Sequence, residues 1–101
     1  GSDGQIINSM SWLQFCKYQR WEEFPDRADN PPMTADFTFW IDGKKYYCTG
    51  EDFGFVFVDQ DWKRVAYNKN FLLLLETPLW NGRSFHDCIE EILFEEYNTI
   101  K

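Results

Sequence analysis

The segment FTFWIDGKKYYC, residues 37 to 48, constrains the fold more than any other part of this chain. Asp42-Gly43 is a favoured pair for a two-residue type I′ turn, and aromatic and β-branched residues flank it, so the segment predicts a β-hairpin. The two-residue turn pairs Phe37 with Cys48, Phe39 with Tyr46 and Ile41 with Lys44. A G1 bulge at Gly43 is the alternative, and it would shift the second strand by one residue and exchange Tyr46 with Tyr47.

Large side chains point to both faces of this predicted sheet. Since side chains alternate along a strand, we expect one face to lie under helices and to carry Phe37, Phe39, Ile41, Phe53, Phe55 and Phe57. The opposite face would carry Trp40, Tyr47, Val56 and Val58. Two coverings of that second face are open: the first helix or the proline-rich loop of the same chain, or a partner chain.

The remaining elements follow from caps and periodicity. A capping box from Ser11 to Gln14 opens a helix that runs to near Arg20, and a long proline-containing loop follows it. FGFVFV and KRVAYN are predicted strands, and FLLLLE is a short helix. Ser84 with Asp87 forms a second capping box, which predicts a helix over SFHDCIEEILFEE, while LFEEY either ends that helix or forms a fifth, edge strand.

The predicted fold is therefore α+β: a four- to five-stranded antiparallel meander sheet with an N-terminal helix and two C-terminal helices packed on it. Residues 1–8 are expected to be a tag remnant and flexible N-terminus, because Gly1-Ser2 is typical of tag cleavage. Residues 9–101 are then a single α+β domain, a size that one core can support.

Charge narrows the range of partners. The chain has 17 acidic and 10 basic residues in 101, a formal net charge of -7. Binding to phosphate backbones needs clustered Lys and Arg, so nucleic acid is disfavoured, as are anionic membranes. A basic protein surface fits this charge. No run of 18 apolar residues is present, so no membrane-spanning segment is expected.

Sequence patterns for catalysis, metals and cofactors are lacking. Cys16, Cys48 and Cys88 are an odd, widely spaced set, which predicts three reduced thiols and a cytoplasmic location. His86 and Cys88 lie two residues apart on a predicted helix, so they do not share a ligand, and metal binding is not expected. Nucleotide-binding glycine motifs are missing, and no cofactor is expected.

The expected function is therefore a small acidic protein-binding or inhibitory module without catalytic activity. Its partner is a protein, for which basic character is favoured, or a second copy of the chain. The predicted contact surface consists of Trp40 and Tyr47, with Lys45 and Val56 beside them and Glu22, Glu23 and Asp26 as an acidic rim. The alternatives are a carbohydrate-binding module that uses the same aromatics and a small enzyme that uses a cleft carboxylate. The composition resembles that of bacterial toxin-immunity proteins and phage anti-defence inhibitors.

Overall fold

The computed structural model describes residues 5–97, which form one six-stranded sheet with two short α-helices. The strands are β1 (Gln5–Asn8), β2 (Phe37–Ile41), β3 (Lys44–Glu51), β4 (Gly54–Asp59), β5 (Arg64–Asn68) and β6 (Leu93–Tyr97). The helices are α1 (Trp12–Tyr18) and α2 (Phe71–Leu75), and 3-10 turns span Trp21–Glu23, Pro25–Arg27 and Ile89–Glu91. The strand order is β1-β6-β2-β3-β4-β5, and every neighbouring pair is antiparallel.

The α+β class and the antiparallel sheet are confirmed, and β2 to β5 form the predicted meander. The strand count differs. Strand β1 lies within the stretch that was expected to be flexible, and residues 1–4 lie outside the described residues. Strand β6 is not an edge strand, because it pairs with β1 on one side and β2 on the other.

The hairpin between β2 and β3 has the predicted two-residue turn. Phe39 lies opposite Tyr46, and no bulge interrupts the pairing. Asp42 has φ 52° and Gly43 has φ 79°, and positive values at both positions are those of a type I′ turn. This register fixes which aromatic side chains point to which face of the sheet.

The second C-terminal helix is not formed. The Ser84 hydroxyl accepts the Asp87 amide and the Asp87 carboxylate accepts the Ser84 amide, so the predicted box exists. Irregular turns and the 3-10 turn at Ile89–Glu91 follow it, and the chain then enters β6. Phe94 is buried opposite Phe39, so burial in the sheet outweighs the helical periodicity of this segment.

The core lies between one sheet face and the helices, and aromatic rings dominate it. Phe15 of α1 is fully buried, with ring centroids 5.2 Å from Phe37 and 5.3 Å from Phe85. Phe57 is also buried on this face, as predicted, and Phe55 is partly buried. The inward placement of Phe53 was wrong: it lies in the β3–β4 turn and is 80% exposed, because β3 continues to Glu51 and β4 begins only at Gly54.

A self-covered aromatic face as the candidate functional site

The sheet face opposite the helices is here called the outer face. Its apolar side chains are shielded by neighbouring side chains of the same face. The strand registers place on it Leu93 and Glu95 of β6, Thr38 and Trp40 of β2, Lys45, Tyr47 and Thr49 of β3, Val56 and Val58 of β4, and Arg64 and Tyr67 of β5. Helix α1 instead packs on the core face through Phe15. The first helix therefore does not cover this face through its buried ring, and a partner chain as the covering stays a prediction.

Trp62 lies against Tyr47 in a parallel stack. The ring centroids are 4.6 Å apart and the planes differ by 4°. Trp62 belongs to the loop between β4 and β5, while Tyr47 belongs to β3, so the indole reaches across β4 at the level of Val58. This placement leaves Val58 buried and Tyr47 partly buried, whereas the indole itself remains 69% exposed.

The loop that carries Trp62 is held in a strained conformation. Trp62 has φ 64°, a left-handed value that is unusual for a bulky residue and that costs about 1 kcal/mol. One carboxylate oxygen of Asp59 accepts hydrogen bonds from the amides of Asp61 at 2.9 Å and Lys63 at 3.0 Å. These bonds hold the turn in which the indole faces the sheet. Strain of this kind is concentrated at functional sites in proteins.

Lys45 lies between the outer-face aromatics and a carboxylate. Its Nζ is 5.2 Å from the ring centroid of Trp40 and 5.5 Å from that of Tyr47, and 3.5 Å from Oε1 of Glu95. Partial burial lowers the pKa of Lys45, but the Glu95 carboxylate and Tyr47 outweigh that effect, so the net shift of the pKa is upward. The ammonium group is therefore firmly charged in this position.

Val56 does not contribute to an accessible surface. It is fully buried, although the sequence had placed it in the contact surface. Arg64 on β5 forms a salt bridge of 2.7 Å with Glu51 on β3, and this bridge crosses β4 at the level of Val56. The residues opposite Val56 in the sheet are Thr49 and Tyr67, and a strand pattern does not reveal how far such neighbours bury a side chain.

A groove of about 560 Å³ lies beside the Trp62–Tyr47 stack. Its lining comprises Tyr18, Asp36, Phe37, Thr38, Tyr47, Cys48, Thr49, Trp62 and Glu95. The Thr49 hydroxyl donates to Oδ2 of Asp36 at 2.9 Å, and the Tyr18 hydroxyl donates to the Asp36 carbonyl oxygen at 3.4 Å. The groove thus combines aromatic rings with two carboxylates.

The acidic rim expected from the sequence lies elsewhere. Glu22, Glu23 and Asp26 lie in the two 3-10 turns after α1. Trp21 in the first turn packs against Phe71 at 5.9 Å, on the helical side of the sheet. The structure therefore brings Trp40, Lys45 and Tyr47 together on the outer face and separates them from these three acids. Asp36 and Glu95 are the carboxylates that line the groove instead.

Trp62, Asp36 and Glu95 were missed by reasoning from the sequence. The segment DQDW has the composition of a polar turn, and a tryptophan in a turn has no periodicity that assigns it to a face. Asp36 precedes β2 and would count only as a loop residue. An aromatic residue within a short polar hairpin loop was the single available signal for Trp62.

His86 and the other titratable groups do not form a metal site in the part of the chain that the structure describes. The His86 ring stacks on Trp12, with 3.6 Å between the ring centroids, and its Nδ1 lies 2.6 Å from a Glu76 carboxylate oxygen. Among residues 5–97, no group of three or more His, Cys, Asp or Glu side chains could hold a metal ion.

Across the same residues, no helix has the length and apolar character needed to cross a membrane. Searches of family models, curated proteins and solved structures found no match to this chain.

Proposed function

We propose that this protein is a non-enzymatic binding module whose outer face docks on a basic segment of a protein partner. The observation that carries the proposal is the exposed Trp62 indole, held in a strained turn and stacked parallel on Tyr47. Trp40 lies partly exposed on the same face. Tryptophan and tyrosine are the residue types that dominate binding energy at protein interfaces.

Electrostatics supports a basic partner. The chain carries a net charge of -7, and Asp36 and Glu95 line the groove beside the aromatic stack. A negative field accelerates the encounter with a positive surface, and the acceleration decreases as salt is added. We therefore expect the association rate with the partner to fall steeply with ionic strength, while the dissociation rate changes less.

Capture from an extract of the source cells tests the proposal. The immobilised protein is compared with Trp62→Ala and Trp40→Ala, and we expect both variants to lose the bound partner. Leu13→Ala and Leu73→Ala are matched controls, because these leucines are 66% and 55% exposed and lie on the helices. Loss of the partner in the leucine variants but not in the tryptophan variants would overturn the assignment to the outer face.

Carbohydrate binding is the second candidate function. The exposed face of Trp62 could stack on a sugar ring, and the groove also offers the side chains of Thr38 and Thr49. Titration with a glycan panel, followed by the indole N–H resonance of Trp62, separates the two candidates. A saturable shift of that resonance would favour the sugar.

Self-association and catalysis are separate outcomes. If the partner is a second copy of the chain, the protein forms a dimer and Trp62→Ala prevents its formation. Sedimentation at several concentrations measures the fraction of dimer. A cleft-carboxylate enzyme would require Asp36 or Glu95 as its acid or base. Glu95 already lies beside the Lys45 ammonium group and Asp36 accepts the Thr49 hydroxyl, which favours a binding role.

A further inference from the structure

The polar groups of the groove are arranged as hydrogen-bond acceptors. Thr49 donates its hydroxyl hydrogen to the Asp36 carboxylate, so what it offers to a ligand is mainly lone pairs. The ionised Asp36 carboxylate, which also lines the groove, accepts hydrogen bonds and donates none. A ligand that complements this lining must bring donors and positive charge.

The outer face already holds one cation, the Lys45 ammonium group, beside aromatic rings and a carboxylate. Lys45 lies within 5.2 Å and 5.5 Å of the Trp40 and Tyr47 ring centroids and is 3.5 Å from Glu95. Rings and a carboxylate together are therefore sufficient to hold an ammonium group here. The groove repeats this combination of ring and carboxylate with Trp62 and Asp36. Within residues 5–97, Asp36 forms no salt bridge with a cationic side chain.

We propose that the groove receives an arginine side chain of the partner, with the guanidinium group against the Trp62 indole and hydrogen-bonded to Asp36. This inference rests on the proposed function and names the group that the outer face recognises. Arginine fits better than lysine, because its planar guanidinium both stacks on an aromatic ring and donates two parallel hydrogen bonds to a carboxylate. Anionic ligands are disfavoured by the Asp36 carboxylate.

A pair of tripeptides tests this assignment: acetyl-Gly-Arg-Gly-amide and the same peptide with citrulline in place of arginine. Citrulline keeps the shape of the side chain but is neutral. Each peptide is titrated at physiological ionic strength, and the Trp62 indole N–H resonance is followed by NMR after assignment with Trp62→Phe. We expect a saturable shift with the arginine peptide and binding that is at least about tenfold weaker with citrulline.

Asp36→Asn is the decisive variant. The amide has the same shape and its oxygen still accepts the Thr49 hydroxyl, so the groove keeps its geometry and loses one charge. We expect the arginine peptide to bind about tenfold more weakly and the citrulline peptide to be unaffected. Glu90→Gln is the matched control, since it removes one exposed carboxylate that does not line the groove, and we expect both affinities to stay within about twofold of the unmodified protein.

The possible outcomes separate this inference from the proposed function. Equal affinities for the two peptides, or no saturable shift with either, would overturn the arginine assignment. If Trp62→Ala and Trp40→Ala nevertheless lose the captured partner, the outer face remains a protein-binding surface and only the guanidinium site is lost. A Trp62 response to glycans with none to the arginine peptide would assign the groove to carbohydrate and overturn the inference.

Discussion

The indole ring of Trp62 lies parallel to the phenol ring of Tyr47, with 4.6 Å between their centroids. A residue of the β4–β5 loop thus reaches over the sheet to a residue of β3. The apolar side chains that the sequence places on the second sheet face are accordingly shielded by neighbours on that face. The rings that do this shielding remain exposed on their outer side, where a partner can contact them.

Replacement of Trp62 separates backbone strain from ring contact. Because its φ is 64°, we expect Trp62→Gly to be more stable than Trp62→Ala by about 1 kcal/mol in urea unfolding. Loss of the stack on Tyr47 lowers the free energy of unfolding in both variants, by about 0.5–1.5 kcal/mol. At Leu73, an exposed position in α2, the order should be reversed by about 1 kcal/mol, because alanine favours helix over glycine. The same order at both positions would contradict the left-handed conformation of Trp62.

Gly54 is packed too closely for a side chain. A Cβ at this position would lie 2.8 Å from the Asn68 carbonyl oxygen and 2.8 Å from the Tyr67 hydroxyl. We expect Gly54→Ala to reduce the free energy of unfolding by about 1–3 kcal/mol. Gly50→Ala is the control on the paired strand, since its Cβ would meet only Met33 Cε at 3.5 Å, and it should range from neutral to about 1 kcal/mol more stable. Thermal unfolding of the two variants measures the difference.

Gln19 is a buried polar side chain that holds the segment before β2. Its Oε1 accepts the amides of Thr34 at 2.8 Å and Ala35 at 3.1 Å, and its Nε2 donates to the Ala35 carbonyl at 3.0 Å. Gln19→Leu leaves these backbone groups without their partner, so we expect a loss of about 2–3 kcal/mol. Gln60→Leu, at an exposed position, should change stability by less than about 0.5 kcal/mol.

The same substitution has a second readout in the groove. Gln19 fixes Thr34 and Ala35, and Asp36 follows them directly in the chain. We expect faster hydrogen exchange at the Thr34 and Ala35 amides of Gln19→Leu, together with weaker binding of the arginine peptide. Unchanged exchange at both amides would show that the glutamine does not hold this segment.

The Ser84–Asp87 box predicts a loss of stability in acid. The hydrogen bond from the Ser84 amide, followed by that with its hydroxyl, lowers the pKa of Asp87 below its ordinary value of 3.8. A carboxyl whose folded pKa is lowered contributes stability above its unfolded pKa, and that contribution is lost as the pH falls through the folded pKa. We therefore expect Asp87→Asn to flatten the dependence of the urea midpoint on pH below about 4.

Ser84→Ala provides the control for that measurement. It removes the hydroxyl but keeps the Ser84 amide that donates to Asp87, which is the larger cause of the lowered pKa. This variant should lose stability at every pH and retain most of the acid-dependent slope. If the two variants had identical slopes, the Asp87 carboxylate would not be the group that titrates.

The three thiols should differ in reactivity. Cys48 is buried, and burial, followed by the charge of Asp36, raises its pKa well above the ordinary value of 9.0. Burial also raises the pKa of Cys88 and that of Cys16, but the Cys16 side chain is only partly buried, whereas Cys88 is buried. A disulfide reagent at pH 8 should modify Cys16 first and the other two only after denaturation, because the reagent must reach the sulfur and only Cys16 is partly accessible. Rapid modification of all three in the native protein would contradict the burial of Cys48 and Cys88.

The sequence determined the local geometry of this protein. Asp42-Gly43 set the hairpin register because few residue pairs adopt two positive φ values, and Ser11 and Ser84 formed their capping boxes because those bonds span only three residues. Tertiary structure decided what depends on distant neighbours. Residues 93–97 became a strand between β1 and β2 because pairing and burial there exceed their helical tendency. Likewise, the groove exists because a loop after β4 brings Trp62 to a tyrosine on β3, which no spacing within one segment encodes.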